Sequence, residues 1–538
     1  MKKTKEQLRQ MNFIDKLYGI IQKCLQLLCG MYLFAILAVM PLYFTDGYAR
    51  IGTNKYEFFE MVTDFGGSAF AALFLLWAVL RMVRKESWKL TLEPLDIAVG
   101  AYGVCVLISY LLSAYHEPTP YGDVWSGAKG WYMGTKTQLS LVGSYFVISR
   151  FAPRGKRLAY LLASALPVSF VIFLLGYLNR FGIRPIEMKA ANPSFISTIG
   201  NMNWYCGYAV IILFAVIGYV WASGKTVSVW WIVYLLVGFG TLLTQGSVSG
   251  LVTLMALMFV LYLFSAKNGK DMTQFGILLI LLGATMTFTW GMRILFPKAM
   301  NFTDGIIDIF TYSPLTIIVL IMGSVLLWLM KKKKGSDKSG QYISYMRTGG
   351  YAWGIVIVVG FVAYIMLLVT NTLHPGIIGS LSENPLFTFD GNYGSNRGAT
   401  WMAALGVFAE QDFLHKLFGV GPDGMAMYLY TDASEILLAG VREVFENQTL
   451  TNAHCEILNV LVNVGILGAV SFVAILVCVF QVLHQELTIK GEKNALIIAL
   501  CFGVLAYATN NLFSFQQAMN GATLYVVLGL LGARLREV

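Results

Sequence analysis

An arginine, a histidine and a few amides stand where apolar sequence gives way to polar sequence, and their types suit the handling of an anion and a proton. His454 lies in Thr451-Asn452-Ala453-His454-Cys455-Glu456, a capping pattern that opens an apolar run and predicts the histidine in the first helical turn. A helix N-terminus disfavours the imidazolium, so a histidine there stays neutral and able to accept a proton. Arg397 lies in Asn396-Arg397-Gly398-Ala399-Thr400-Trp401. Asn396 predicts an N-cap, and Trp401, Leu405 and Phe408 recur on one helical face that can lie on a membrane-embedded bundle. In that first turn the guanidinium and the free backbone N–H groups converge on an anion. The turn Gly419-Val420-Gly421-Pro422-Asp423-Gly424 then breaks the chain ahead of a second short helix. Each residue also has a plainer reading: a loop arginine pairs with an acid, and a histidine at a membrane edge is a surface residue. Cys455 beside His454 is poorly placed for a dyad, because successive helical residues point about 100° apart.

The elements that must position these residues are membrane helices. Of 538 residues, 57% are hydrophobic and 13% charged, and the net charge is +10; soluble domains carry roughly a quarter charged residues. With a mean hydropathy of +0.65, this composition excludes an ordinary cytosolic enzyme, a disordered chain and a secreted disulfide scaffold. The seven cysteines fall mostly in apolar runs without metal-ligand spacing. Apolar segments of near-bilayer length occur at 25–44, 64–83, 95–114, 133–151, 157–178, 204–222, 228–244, 248–265, 273–292, 314–330, 350–370, 455–483, 494–512 and 520–533. The expected fold is all-α, a polytopic transmembrane helix bundle of about 12–14 spans with one large outer loop containing short helices. Residues 1–370 form the N-terminal bundle, 371–452 the loop and 453–538 the last spans. The first span is too long, and lacks the small-residue site, for a cleaved signal peptide.

Basic residues set the expected orientation. With the N-terminus inside, eight short inner loops hold 27 of the 39 basic residues, including the run Lys331, Lys332, Lys333 and Lys334, so both termini are expected in the cytoplasm. Scattered in this way, the charge is topological and does not indicate nucleic-acid binding. The long loop is acidic, with nine acids against Arg397, Lys416 and Arg442. Loops of this length are commonly functional.

In order and spacing these pieces resemble the O-antigen ligase and O-antigen polymerase superfamily of bacterial membrane glycosyltransferases. Gly200-Asn201-Met202-Asn203 is similar to that family's G-N-x-N. Arg397 with Trp401, followed by Gly419-Val420-Gly421-Pro422, resembles its R-x-x-x-W helix and G-x-G-P turn. Ala453-His454-Cys455-Glu456-Ile457-Leu458, ending in Gly465-Ile466-Leu467-Gly468, resembles its A-H-N-E-x-L and G-I-L-G. Two departures stand out. The family's arginine in an S-R-G-like turn is absent from Gln245-Gly246-Ser247-Val248-Ser249-Gly250, and the asparagine after the histidine is Cys455.

The resemblance implies transfer of a glycan from an undecaprenyl-pyrophosphate carrier to an acceptor hydroxyl at the outer face of the cytoplasmic membrane, with no metal or nucleotide cofactor. Arg397 would hold the pyrophosphate and His454 would take the acceptor proton, with inversion. Asn201 and Asn203 would bind sugar or phosphate, or simply cap their span. Glu456 would orient nearby groups, and Lys136, Arg180 or Arg184 would supply the missing cation. Lys136, at the end of an apolar segment, is the most telling of these, unless it snorkels to the interface. A base titrating near neutrality loses activity below its pKa, so a flat profile between about pH 5 and 8 counts against His454. Two other classes compete. A lipid-linked oligosaccharide flippase would carry ionisable residues in mid-span, whereas here they lie at the edges. A metal-dependent oligosaccharyltransferase would carry paired acids in its first outer loop, and here Asp46, Glu57 and Glu60 form no such pair.

Overall fold

The computed structural model describes residues 5–86, 91–300, 305–332, 338–446, 448–489 and 491–537. Lys333 and Lys334 of the basic run lie outside the described residues. The first half of the chain contains helices α1 (Lys5–Phe34, extended by a π-helical turn Ala35–Val39), α2 (Ile51–Val83), α3 (Pro94–Leu112), α4 (Thr135–Phe151), α5 (Lys156–Arg180), α6 (Met202–Ser223), α7 (Val229–Thr244), α8 (Val248–Ser265) and α9 (Gly269–Leu295). Next come α10 (Gly305–Thr311), α11 (Leu315–Lys332) and α12 (Lys338–Leu373). The long loop holds α13 (Tyr393–Glu410), α14 (Phe413–Phe418), α15 (Met425–Thr431) and α16 (Glu435–Phe445), and the chain ends with α17 (Glu456–Thr488), α18 (Ala495–Asn510) and α19 (Ala518–Leu535). Two small antiparallel hairpins, β1 (Gly122–Asp123) with β2 (Gly127–Ala128) and β3 (Phe195–Ile196) with β4 (Gly200–Asn201), sit between helices.

The protein is an all-α, multi-pass membrane protein. Among the described residues eleven helices are long and apolar enough to cross a bilayer, and α7 and α18 are shorter apolar helices. Every apolar segment of the sequence falls on a helix, and α4 alone of these helices is not among the thirteen. The last three helices are threaded through the bundle: α17 packs on α3, α18 on α6 and α19 on α4. Nearly all of α19 is buried, whereas α12 turns apolar side chains such as Val358 and Phe361 outward, as a lipid-facing helix does. Two charged groups that the bundle buries are satisfied internally. Lys55 Nζ donates to the carbonyls of Met40, Pro41 and Tyr43 at 2.8, 2.9 and 2.6 Å, closing the end of the first helix. Asp96 accepts from Tyr145, Arg150 and Arg536, which ties the end of α19 to α3 and α4.

The long loop folds into a small core of Ala403, Ala404, Val407, Val420, Met425 and Leu429 resting on the start of α17. Two glycines dock it. At Gly419 (φ +81) an added Cβ would lie 2.3 Å from the backbone of Asn463, and at Gly465 (φ +76) it would lie 2.3 Å from that of Leu417. The two chains therefore touch backbone to backbone, with Val420 N donating to Val462 O and Gly421 N to Asn463 O. Both positions need a left-handed conformation and no side chain. α13 buries a different face from the expected one. Thr400, Ala403, Ala404 and Val407 point inward, Trp401 and Phe408 are half-buried, and Leu405 is exposed. Small residues win the contact because they let the helix approach its neighbours closely.

Candidate functional site

Arg397 enters the site from an unusual helix start. Gly394, Ser395 and Asn396 take φ values of 60°, 61° and 66°, so α13 is regular only from Arg397 onward. Asn396 is therefore not the expected N-cap, since a capping residue has extended backbone and this one is left-handed. Non-glycine residues at positive φ are strained and persist where the surroundings hold them. Here Ala399 N donates to Gly391 O at 3.0 Å, and Arg397 Nη1 donates to Gly394 O at 2.8 Å. Arg397 Nε donates to Phe513 O at 3.2 Å. No carboxylate pairs with Arg397 among the described residues, although the loop around it carries nine acids. Burial alone lowers its affinity for the proton, so this is a desolvated guanidinium held by carbonyls. Nη2 makes no hydrogen bond among the described residues.

His454 also departs from its expected place. Its φ is 47°, and α17 begins only at Glu456, so the histidine lies in the turn before the helix and not in its first turn. Asn452 Oδ1 accepts from His454 N at 3.2 Å, and Thr400 Oγ1 donates to Ala453 O at 3.0 Å, which fastens the turn to α13. The ring meets Phe515 edge-on, with centroids 5.0 Å apart. Burial, and after it the charge of Arg397, holds the His454 pKa down at about 4. The histidine is neutral as expected, but a dry pocket and a neighbouring cation cause it. The Cys455 thiol is pushed up by burial, which leaves it unsuited to thiolate chemistry.

The segment between α18 and α19, residues 511–517, supports both groups. Phe513 gives its carbonyl to Arg397 and packs its ring 6.4 Å from that of Trp401. Phe515 packs on His454, and on Trp131 at 4.9 Å. Glu456 faces away from the histidine: its carboxylate accepts from Gln516 N while its own N–H donates to Asn511 O, so it pins this segment from behind. Asp423, in the Gly-Pro-Asp-Gly turn, does the same for the neighbouring loop. Its Oδ2 accepts from Ala128 N at 2.7 Å and Met133 N at 3.1 Å, holding the stretch that carries Trp131. Burial raises the Asp423 pKa to about 7, and the two N–H groups offset part of that rise. Glu456 and Asp423 line one small polar cavity with Gln138, Asn463 and Gln516.

The Gly-Asn-x-Asn stretch reaches the same cluster through aromatic contact. Asn201 Oδ1 accepts from Asn203 N at 2.8 Å and so caps α6. Asn203 is half-buried, its side chain without a hydrogen bond among the described residues. Trp204, next in line, packs 5.7 Å from Trp131. Arg180 is wholly buried and donates to Pro193 O and Gln245 O, so it organises the hairpin leading to Asn201. Its guanidinium thus reaches, from α5, the turn at Gln245 that lacks an arginine of its own. Lys136 donates to Glu60 at 2.6 Å and Asp64 at 2.8 Å, so acids of α2 balance its charge. Arg184 is half-buried beyond the end of α5 with no ion pair among the described residues.

The structure thus brings Arg397 and His454 together, supports them through Glu456, connects Asn201 and Asn203 at one remove, and gives Lys136 and Arg180 partners of their own. Asp423, Trp131 and the 511–517 segment are additions to the sequence reading. The one sequence signal for the segment was its polar run, Ser514, Gln516 and Gln517, between two apolar helices. Among the described residues no three His, Cys, Asp or Glu side chains gather as metal ligands. A desolvated cation beside a neutral imidazole can hold an anionic leaving group while a hydroxyl is deprotonated. The chain matches no protein-family model and no curated protein.

Proposed function

We propose that this protein is a membrane glycosyltransferase of the O-antigen ligase and polymerase type, acting in cell-surface polysaccharide synthesis. In this reading it takes a glycan from an undecaprenyl-pyrophosphate carrier and passes it to an acceptor hydroxyl. Both termini face the cytoplasm and the site opens on the extracytoplasmic side of the cytoplasmic membrane. The observation that carries the reading is the pairing of Arg397, desolvated and without a carboxylate partner among the described residues, with His454, kept neutral beside it.

The acceptor oxygen attacks the anomeric carbon, the bond from that carbon to the pyrophosphate oxygen breaks, and the acceptor proton passes to His454. The pyrophosphate leaves as an anion held by the Arg397 guanidinium, whose fork geometry suits phosphate oxygens. A single displacement inverts the anomeric centre. The bound pyrophosphate also offsets the charge of Arg397, which makes His454 a stronger base once the donor is seated.

The test is glycan transfer from a lipid-pyrophosphate donor by purified wild type, His454→Ala and Arg397→Ala, each checked for folding and insertion and each assayed with and without a chelator. Transfer by the wild type that survives the chelator and collapses in both variants supports the reading. Near wild-type rates in both variants would sink the assigned roles.

A further inference from the structure

Among the described residues, Trp401 Nε1, Ser514 Oγ and His454 Nδ1 around Arg397 and His454 are buried without a partner, as are Asn511 Nδ2, Gln516 Nε2 and Gln517 Nε2 elsewhere in the supporting segment. Buried polar groups are nearly always bonded, so unpaired ones call for an explanation. The first three are neighbours. Ser514, only 2% exposed, sits between Phe513, which accepts from Arg397 and packs on Trp401, and Phe515, which packs on His454. Trp401 lies one helical turn beyond Arg397 on α13.

The chemistry of the set narrows what would fill it. An indole N–H only donates, a serine hydroxyl can donate, and the open Nη2 of Arg397 only donates. A group meeting all three must be rich in lone pairs and need carry no hydrogen. A phosphate oxygen meets that requirement. We propose that Ser514 and Trp401 are phosphate-binding residues, forming with Arg397 a three-donor pocket for the pyrophosphate of the donor. This assignment rests on the glycosyl-transfer reading for its substrate. Two neutral donors beside one guanidinium would then do the work of the second arginine, which the turn at Gln245 lacks.

The pocket carries a signature that a structural role would not. A hydroxyl or N–H that is unpaired in the free protein costs stability there, so Ser514→Ala and Trp401→Phe, which delete one donor each and keep most of the shape, should leave Tm unchanged or raise it. Each should weaken the binding of undecaprenyl pyrophosphate by about tenfold, the scale of one hydrogen bond to a charged group.

The experiment uses the full chain in nanodiscs and measures Tm and the affinity for undecaprenyl pyrophosphate, with inorganic pyrophosphate and undecaprenol as competitors. Weakened affinity at undiminished Tm, with inorganic pyrophosphate competing, is the expected result. Wild-type affinity in both variants, a lowered Tm in both, or competition by undecaprenol alone would overturn the assignment. Should His454→Ala abolish transfer while the two donor variants bind and transfer normally, this inference fails and the glycosyl-transfer reading stands. A wild-type chain that neither binds the pyrophosphate lipid nor transfers from it would overturn both.

Discussion

His454 is a weak base in the free protein, and the reason lies in its surroundings. Dry packing against Phe515 and the charge of Arg397 both disfavour the imidazolium, so its pKa falls to about 4. The sign follows directly: the ring is neutral and competent above that value and loses its lone pair as pH falls through it. The expectation that a flat profile between about pH 5 and 8 argues against a histidine base therefore no longer applies. In the free protein kcat/KM should be level over that range and decline as pH approaches 4. If the donor is a lipid pyrophosphate as proposed, the acid limb of kcat should lie higher than that of kcat/KM, because a seated pyrophosphate would offset the repulsion from Arg397. A kcat/KM profile bending near the ordinary histidine value of about 6.5 would contradict this account of the site.

At the level of elements, two buried carboxylates act as clamps on backbone. Glu456 holds the 511–517 segment and Asp423 holds the loop carrying Trp131, each by accepting main-chain N–H groups. Asp423→Ala would leave two buried N–H groups unpaired, at a cost of about 1–3 kcal/mol for each. Asp423→Asn keeps an acceptor oxygen and should stay closer to wild type. The Asp423 pKa is raised to about 7, against roughly 3.9 for an unfolded aspartate. The folded chain therefore holds a proton that the unfolded chain has lost, and this group's contribution to stability falls as pH rises from about 4 to 7. Thermal stability in detergent should fall more steeply with pH across that range in wild type than in Asp423→Asn, by the slope of one proton. An unchanged slope would mean that Asp423 is not the titrating clamp.

On the scale of the whole molecule, the proposed orientation assigns 27 of the 39 basic residues to the cytoplasmic face and is open to test. Cysteine introduced at Glu435, exposed on α16, should react with a membrane-impermeant thiol reagent in intact cells. Cysteine at Glu492, exposed between α17 and α18, should react only after permeabilisation. The opposite pattern would reverse the membrane sidedness. The bundle itself was legible in the sequence because every span is a long apolar run, and period and length suffice to find such runs. Arg397 and His454 were legible because each stands at a break between apolar and polar sequence. Their backbone was not: three left-handed residues before Arg397 and one at His454 come from tertiary contacts, and spacing rules assume regular caps. Ser514, Trp131 and Asp423 were hidden for a similar reason. Their partners lie far along the chain, as when Asp423 grips Ala128 and Met133, and local pattern carries no trace of such pairing.

The central claim is that Arg397 and His454 act on one substrate in one site, and a double-mutant cycle on glycan transfer tests it most directly. Single-turnover rates from a lipid-pyrophosphate donor would be measured for wild type, Arg397→Ala, His454→Ala and the double variant. Each single change should slow transfer on the order of 100-fold or more, the scale of losing an acid–base or electrostatic group. The double variant should be little slower than the worse single, because groups that work as a unit are strongly non-additive. Singles that transfer at near wild-type rates, or a double variant whose loss is the full product of the two, would contradict a shared site.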